Sequence, residues 1–419
     1  MRSLAEQLHE VTLDNGLRVL LWEEHKAPVI ALQLWYPVGS RNEDAQTSGA
    51  SHLVEHMLFR GTPRYGPKAF SRLIQRNGAN HNAYTTEDFT VYHETLAADR
   101  IEIALELEAD RMVHALMAPQ DYLVEREVVK EERCLQTEDD PVACLQESLH
   151  TAAFQVHPYR WPVIGTMESL EQLDRDQVDH HYRTHYQPNN ALLVAVGDFQ
   201  PDALLSSIRE QFEPLPPGPP PPPVGLQEPP QQGEQRITLS KEAQLPFLMI
   251  GYHTPNLRDP DSIPLVVLEV ALIGGKSSLL HRKLVYEEQL ALYVEGEYAR
   301  LSHDPHLFYF YVQLLPDRSP EEAERRLYQE IAQLQEAPLP EPELQKVKNK
   351  LEASFLMAQD SIDYRAMLLG RYEAVAGWRW LDRFLPEIQA VTATDVQRVA
   401  RRYLTAENRT VAILLPSGR

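Results

Sequence analysis

The 419-residue chain carries 61 acidic against 40 basic side chains, a formal net charge of −21, and 43% of its residues are apolar. That length and apolar share suffice for two or more domains with real cores, while the negative charge disfavours nucleic acid and anionic membranes as partners. No apolar run reaches the roughly eighteen residues of a membrane span, and Cys134 and Cys144, close together in one region predicted helical, argue against a disulfide framework.

The opening stretch MRSLAEQLHEVTLDNG has no apolar core of a secretory leader, so a cytoplasmic location is expected; a periplasmic one would need a leader removed from the sequence as given. Residues 18–22 and 29–36 then read as strands from their apolar runs. The run His52-Leu-Val-Glu-His56 comes next. On a helix, positions i and i+4 share a face, so His52 and His56 project side by side and can both offer an imidazole nitrogen to one metal ion. Glu55 lies on the same side, placed to take a proton from a metal-activated water without entering the coordination shell. This order, H-x-x-E-H, inverts the usual zinc peptidase helix.

Residues 89–94 are a further strand candidate, and helix is predicted near 99–117. A hydrolytic zinc site needs a third protein ligand and an open position for water. The segment Glu125-Arg-Glu-Val-Val-Lys-Glu-Glu132 offers that ligand on another predicted helix, whose apolar Leu123, Val128 and Val129 mark its buried side. Glu125 and Glu132 stand two helical turns apart, on one face. One can bind the metal while the other hydrogen-bonds a ligand histidine. The neighbouring Glu127 and Glu131 read as a solvated face. His180 and His181 are adjacent and point about 100° apart on a helix, so joint metal binding is not expected. His81 and His93 read as structural or surface residues.

PLPPGPPPPPVGLQEPP, residues 214–230, cannot form a helix or a central strand and reads as an exposed linker. It separates a first domain, 1–213, from a second, 231–419. The second half contains a strand candidate at 308–315, helices at 321–335 and 343–358, and a Gly274-Gly275 pair that reads as a turn. His253, His281, His303 and His306 show no ligand spacing. The stretch 177–196 echoes 395–414: a helix, an asparagine (Asn190 or Asn408), then an apolar strand. That echo suggests an internal duplication. The fold class is therefore α+β, two homologous domains, each a mostly antiparallel sheet with helices packed on one face.

GASHLVEHMLFRGT followed by EREVVKEER resembles the pitrilysin/insulinase family of zinc peptidases, the inverzincins, in its bacterial branch similar to mitochondrial processing peptidase. Residues 77–96, NGANHNAYTTEDFTVYHETL, are similar to the family's substrate-binding edge strand, and 165–199 to the helix and strand that close its first domain. The resemblance implies a clamshell of two domains, one Zn2+ per chain on His52, His56 and Glu132, Glu55 as general base, and Glu125 as supporting carboxylate. It also implies peptide binding along Asn82, Ala83 and Tyr84. The second domain has no H-x-x-E-H and carries Leu279 where many relatives have arginine. On the stretch 306–319 it shows Phe308 and no Arg/Tyr pair to grip the substrate carbonyl. The resemblance thus implies a zinc-bearing endopeptidase subunit that pairs with a homologous zinc-free chain supplying that Arg/Tyr pair, or with a second copy of itself. A non-catalytic structural or peptide-binding subunit of a larger assembly is the competing reading.

Overall fold

A computed structural model describes residues 6–417. In chain order its strands are β1 (Leu8–Thr12), β2 (Arg18–Glu23), β3 (Val29–Tyr36), β4 (Asn80–Thr85), β5 (Thr90–Ala97), β6 (Leu192–Gly197), β7 (Gln235–Lys241), β8 (Phe247–Thr254), β9 (Ala291–Tyr298), β10 (His306–Leu314) and β11 (Arg409–Pro416). The first-half helices are α1 (Ala50–Met57), α2 (Ala69–Arg76), α3 (Ile101–His114), α4 (Pro119–Arg133), α5 (Pro141–Ala153), α6 (Met167–Gln172), α7 (Arg175–His185) and α8 (Pro201–Phe212). Then follow α9 (Ser262–Ile273), α10 (Pro320–Glu336), α11 (Glu341–Ala358), α12 (Ile362–Val375), α13 (Trp380–Ala390) and α14 (Ala393–Tyr403). None of these helices is long and apolar enough to cross a membrane.

The chain forms two compact α+β units, and neither is one continuous stretch of sequence. One runs to Arg133 and adds Trp161–Leu226 and Ala358–Leu381. The other takes Cys134–Arg160, Gln227–Met357 and the chain from Asp382 onward. The passage at 226 to 227 falls within the proline-rich stretch, which forms neither helix nor strand because proline lacks the amide hydrogen both need. Against the division expected at 213 and 231, residues 134–160 and 358–381 have changed places.

The two sheets repeat one topology. The first has strand order β1-β2-β6-β3-β5-β4 and the second β7-β11-β8-β10-β9. In each, one pair is parallel, β2 with β6 and β7 with β11, and the remaining neighbours are antiparallel. The asparagines of the sequence echo do one job twice: Asn190 Nδ2 donates to His185 O at 2.8 Å and Asn408 Nδ2 to Tyr403 O at 2.7 Å, each closing the last turn of the helix before its strand. Both helices also start with a capping box, Asp174 with Gln177 and Thr392 with Asp395.

Helices cover both faces of each sheet, not one. The central strands require it: β3, VIALQLWY, is buried along almost its whole length, and so is β8, FLMIGYHT. In the first unit α1, α3 and α8 pack on one face and α12 on the other, against β3 and β6. In the second, α9, α10 and α14 contact the sheet, and α5 packs on β7, β8 and β11, where Leu145, Leu149 and Ala153 join Phe247, Met249 and Leu414 in a core. Each sheet thus takes one covering helix from the other half of the sequence.

Gly370 shows how closely α12 docks. A Cβ there would lie 2.0 Å from Cε2 of the buried Trp35, whose indole nitrogen donates to Gln33 Oε1 at 3.0 Å. Gln33 in turn donates to Asp363 O at 3.3 Å. Gly370→Ala should therefore overpack this seam and cost about 1–3 kcal/mol, read as a lower urea midpoint with an unchanged m-value.

Candidate metal centre

Helix α1 starts at Gly49, whose φ of 96° favours glycine and whose added Cβ would meet Ile164 O at 2.9 Å. With no side chain on glycine to cap the helix, the carboxylate of Glu43 does so from a distance. It accepts from Gly49 N at 2.7 Å and from Ser51 N at 2.6 Å. Ser51 Oγ lies 2.9 Å from Nε2 of the buried His181, linking α1 to α7. His181 is therefore occupied in packing and its neighbour His180 is exposed, as their angular separation on α7 requires.

The exposed end of this arrangement gathers the polar groups. The Nε2 atom of His56 lies 3.4 Å, and that of His52 4.0 Å, from Glu132 Oε2 on α4. One ligand atom from each of the three residues lies within 4.8 Å of the other two. Ligands on tetrahedral zinc, with bonds of about 2.0–2.1 Å, stand about 3.3 Å apart, so a small inward shift would bring all three to coordination distance. His52 Nδ1 is buried and has no hydrogen-bond partner among the described residues. Burial and the adjacent His56 push the His52 imidazole down to about 4, which keeps it in the neutral, ligating form. These donors fit zinc: two imidazoles and one carboxylate, a set that leaves the fourth tetrahedral position to water.

Glu125 supports the set from the same helix face. Its Oε2 lies 3.0 Å from His56 Nδ1, so that ring's other nitrogen keeps its lone pair toward Glu132. Arg60 pairs with Glu125 and balances its buried charge. Glu55 is nearly buried, and burial raises its carboxyl above the usual range, opposed chiefly by a hydrogen bond from Thr85 Oγ1 to Oε2 at 2.6 Å.

Asn82, Ala83 and Tyr84 lie on β4, the last strand of the first sheet, hydrogen-bonded to β5 alone. Asn82 is exposed, Ala83 is buried in the core that also holds Leu53 of α1, and Tyr84 is half-buried beside Phe89 and His93. His81 packs between Phe59 and Phe70. An edge strand of this kind leaves one row of main-chain groups for an added strand.

Sequence reading misplaced the buried side of α4. Leu123 and Val128 are 46% and 43% exposed, and the buried positions are Tyr122, Glu125, Val129 and Arg133. The helix turns the charged Glu125 and Arg133 inward, and Arg133 finds Gly165 O at 2.6 Å, so hydrophobicity is a poor guide to its orientation. Arg60, Thr85 and Glu43 also went unrecognised. Arg60 stands one helical turn beyond His56, and Thr85 shares the strand face of Ala83, so periodicity held the signal for two of them.

Known proteins resemble this chain over nearly its whole length. Residues 18–167 match the family model for insulinase (peptidase family M16), and residues 172–351 match that for the peptidase M16 inactive domain. The zinc protease PqqE of Helicobacter pylori is 29% identical over 97% of this chain and 93% of its own length. An uncharacterized zinc protease of Mycobacterium bovis is 30% identical, with coverage of 97% and 93%. The crystal structure of a protease from Helicobacter pylori superposes with a TM-score of 0.95 at 28% identity, covering 98% of this chain and 99% of that one.

Two measurements probe the centre. Glu125→Ala should weaken zinc binding about 10–100-fold in chelator competition. Burial pushes Glu43 up to about 7 from 4.5, against the pull of its backbone hydrogen bonds. Between those values the native state keeps a proton that the unfolded chain has released, so this contribution is full at acid pH and is lost as pH rises through the window. In urea titrations across it, Glu43→Gln should remove a downward slope of up to about 1.4 kcal/mol per pH unit relative to wild type.

Proposed function

The chain belongs to the insulinase family of peptidases, M16, and from that premise we propose that it is a zinc-dependent endopeptidase acting on extended or unfolded peptides. The observation that carries this reading is the convergence of His52, His56 and Glu132 with Glu55 close by on α1. A purely structural zinc site is closed by four protein ligands and has no use for an uncoordinated carboxylate beside it.

In the proposed reaction His52, His56 and Glu132 hold the ion, and Glu125 fixes the His56 ring. Zinc, when bound, supplies a Lewis acid that acidifies water to a pKa of roughly 7 and polarises the scissile carbonyl. Glu55 takes the proton of the attacking water and delivers it to the nitrogen of the departing amine. Its buried setting suits both steps, because a carboxylate raised above its usual range is a stronger base and its acid lies closer to neutrality. The peptide adds as a strand to β4 through main-chain hydrogen bonds, with Asn82, Ala83 and Tyr84 setting its register. Folded substrates cannot offer a free strand, so unfolded or short peptides are selected.

We propose further that a homologous chain completes the site. The second unit has no H-x-x-E-H, Leu279 stands where many relatives have arginine, and Phe308 on β10 is wholly buried, out of reach of a substrate. Without a donor for the developing oxyanion, the chain alone lacks what is commonly the largest catalytic term.

Hydrolysis of a quenched fluorescent peptide library by the chain, with and without a homologous zinc-free partner, tests both statements. Zinc-dependent cleavage that rises steeply on mixing is expected, and Glu55→Gln should lower it about 10²–10⁴-fold while zinc stays bound. Equal rates without the partner would remove the heterodimer, and no cleavage in any mixture would leave a structural or peptide-binding subunit.

A further inference from the structure

Thr85 is the last residue of β4 and pairs across the hairpin with Thr90. Its hydroxyl does not point to solvent or cap the turn. It donates to Glu55 Oε2 at 2.6 Å, reaching from the edge strand to helix α1. The neighbouring Thr90 hydroxyl stands farther off, at the edge of hydrogen-bond range. Thr90 Oγ1 accepts from Tyr186 at 3.2 Å and donates its only hydrogen to Val38 O at 2.9 Å, and it lies 3.4 Å from Thr85 Oγ1. Thr90 and Tyr186 are buried, which fixes this arrangement in packed protein.

A glutamate side chain has three rotatable bonds, and without a partner its carboxylate could take several rotamers. Held at Oε2, its carboxylate plane is set and Oε1 remains the free oxygen. We infer that Thr85 is a positioning residue that ties the base Glu55 to the peptide-docking strand β4, so that the strand which aligns the substrate backbone also aligns the base. This rests on the peptidase reading above. A peptide added to β4 extends the sheet by one strand and stiffens it, so the tether is firmest when substrate is in place. Serine can make the same bond, whereas valine keeps the branched shape of threonine without the hydroxyl.

Two experiments test this. In the zinc-free chain, thermal unfolding of Thr85→Val, Glu55→Met and the double variant measures whether hydroxyl and carboxylate interact: the double should lose less in Tm than the two singles together, and strict additivity would overturn the tether. In the zinc-loaded chain, assayed with its partner if one is required, Thr85→Val should lower kcat at least tenfold with KM within threefold and zinc content unchanged. Thr85→Ser should return kcat to within threefold of wild type. A valine variant with wild-type kcat, or a serine variant as slow as valine, would overturn the positioning role. A wild type that cleaves nothing would defeat the peptidase reading and this role together, and the unfolding cycle would still report on the contact itself.

Discussion

Everything at the candidate centre depends on one constraint: two imidazoles and four carboxylates must be held close together in a largely buried place. Bare charges there would carry a large desolvation cost, so each needs a partner. The structure supplies them one by one. Glu43 meets the amides at the start of α1, Arg60 meets Glu125, Glu125 meets His56, and Thr85 meets Glu55. Glu132 Oε2 lies 3.4 Å from His56 Nε2 and 4.0 Å from His52 Nε2, a grouping of donor atoms that suits a cation.

The same constraint accounts for the rigidity of the elements behind the centre. Helix α1 is short, eight residues, and would be marginal by itself. It is held by burial of Leu53, Val54 and Met57 and by the contact from Ser51 to His181 on α7. Beneath the neighbouring hairpin, Arg111 sits 4.0 Å from the centroid of Tyr92 and pairs with the buried Glu94 and Glu108. Burial keeps Glu94 well above the carboxylate range, so this group of three need not bear an uncompensated negative charge. A packed and hydrogen-bonded support of this kind keeps ligand geometry from depending on flexible loops.

Duplication explains much of the remaining chain. The repeated parallel pair, the repeated hairpin and the paired asparagines show two copies of one sheet design, and the H-x-x-E-H run occurs in the first copy alone. The exchange of α5 and α12 adds something that duplication does not require. Each central strand is apolar on both faces, and the helix covering the second face comes from the distant half of the chain. Neither unit could bury its sheet using its own contiguous sequence, which makes independent folding of the two halves unfavourable.

Local chemistry was legible in the sequence. The i, i+4 histidines, the intervening Glu55, the two-turn spacing of Glu125 and Glu132, the apolar runs of β2, β3 and β10, and the echo around Asn190 and Asn408 all depend on periodicity, which a linear chain displays directly. Relations between distant residues were not legible in that way. The inward turn of α4 against its own hydrophobic residues, the exchange of covering helices, the capping of α1 by Glu43 and the donation from Thr85 to Glu55 each depend on which surfaces meet. By itself the sequence determined the candidate ligand types, their helical faces and the α+β repeat, because these follow from side-chain chemistry and the pitch of a helix or strand. Only the tertiary structure decided which carboxylate supports His56 and which oxygen of Glu55 is tethered, because hydrogen bonds between elements are selected by the packing of the whole core.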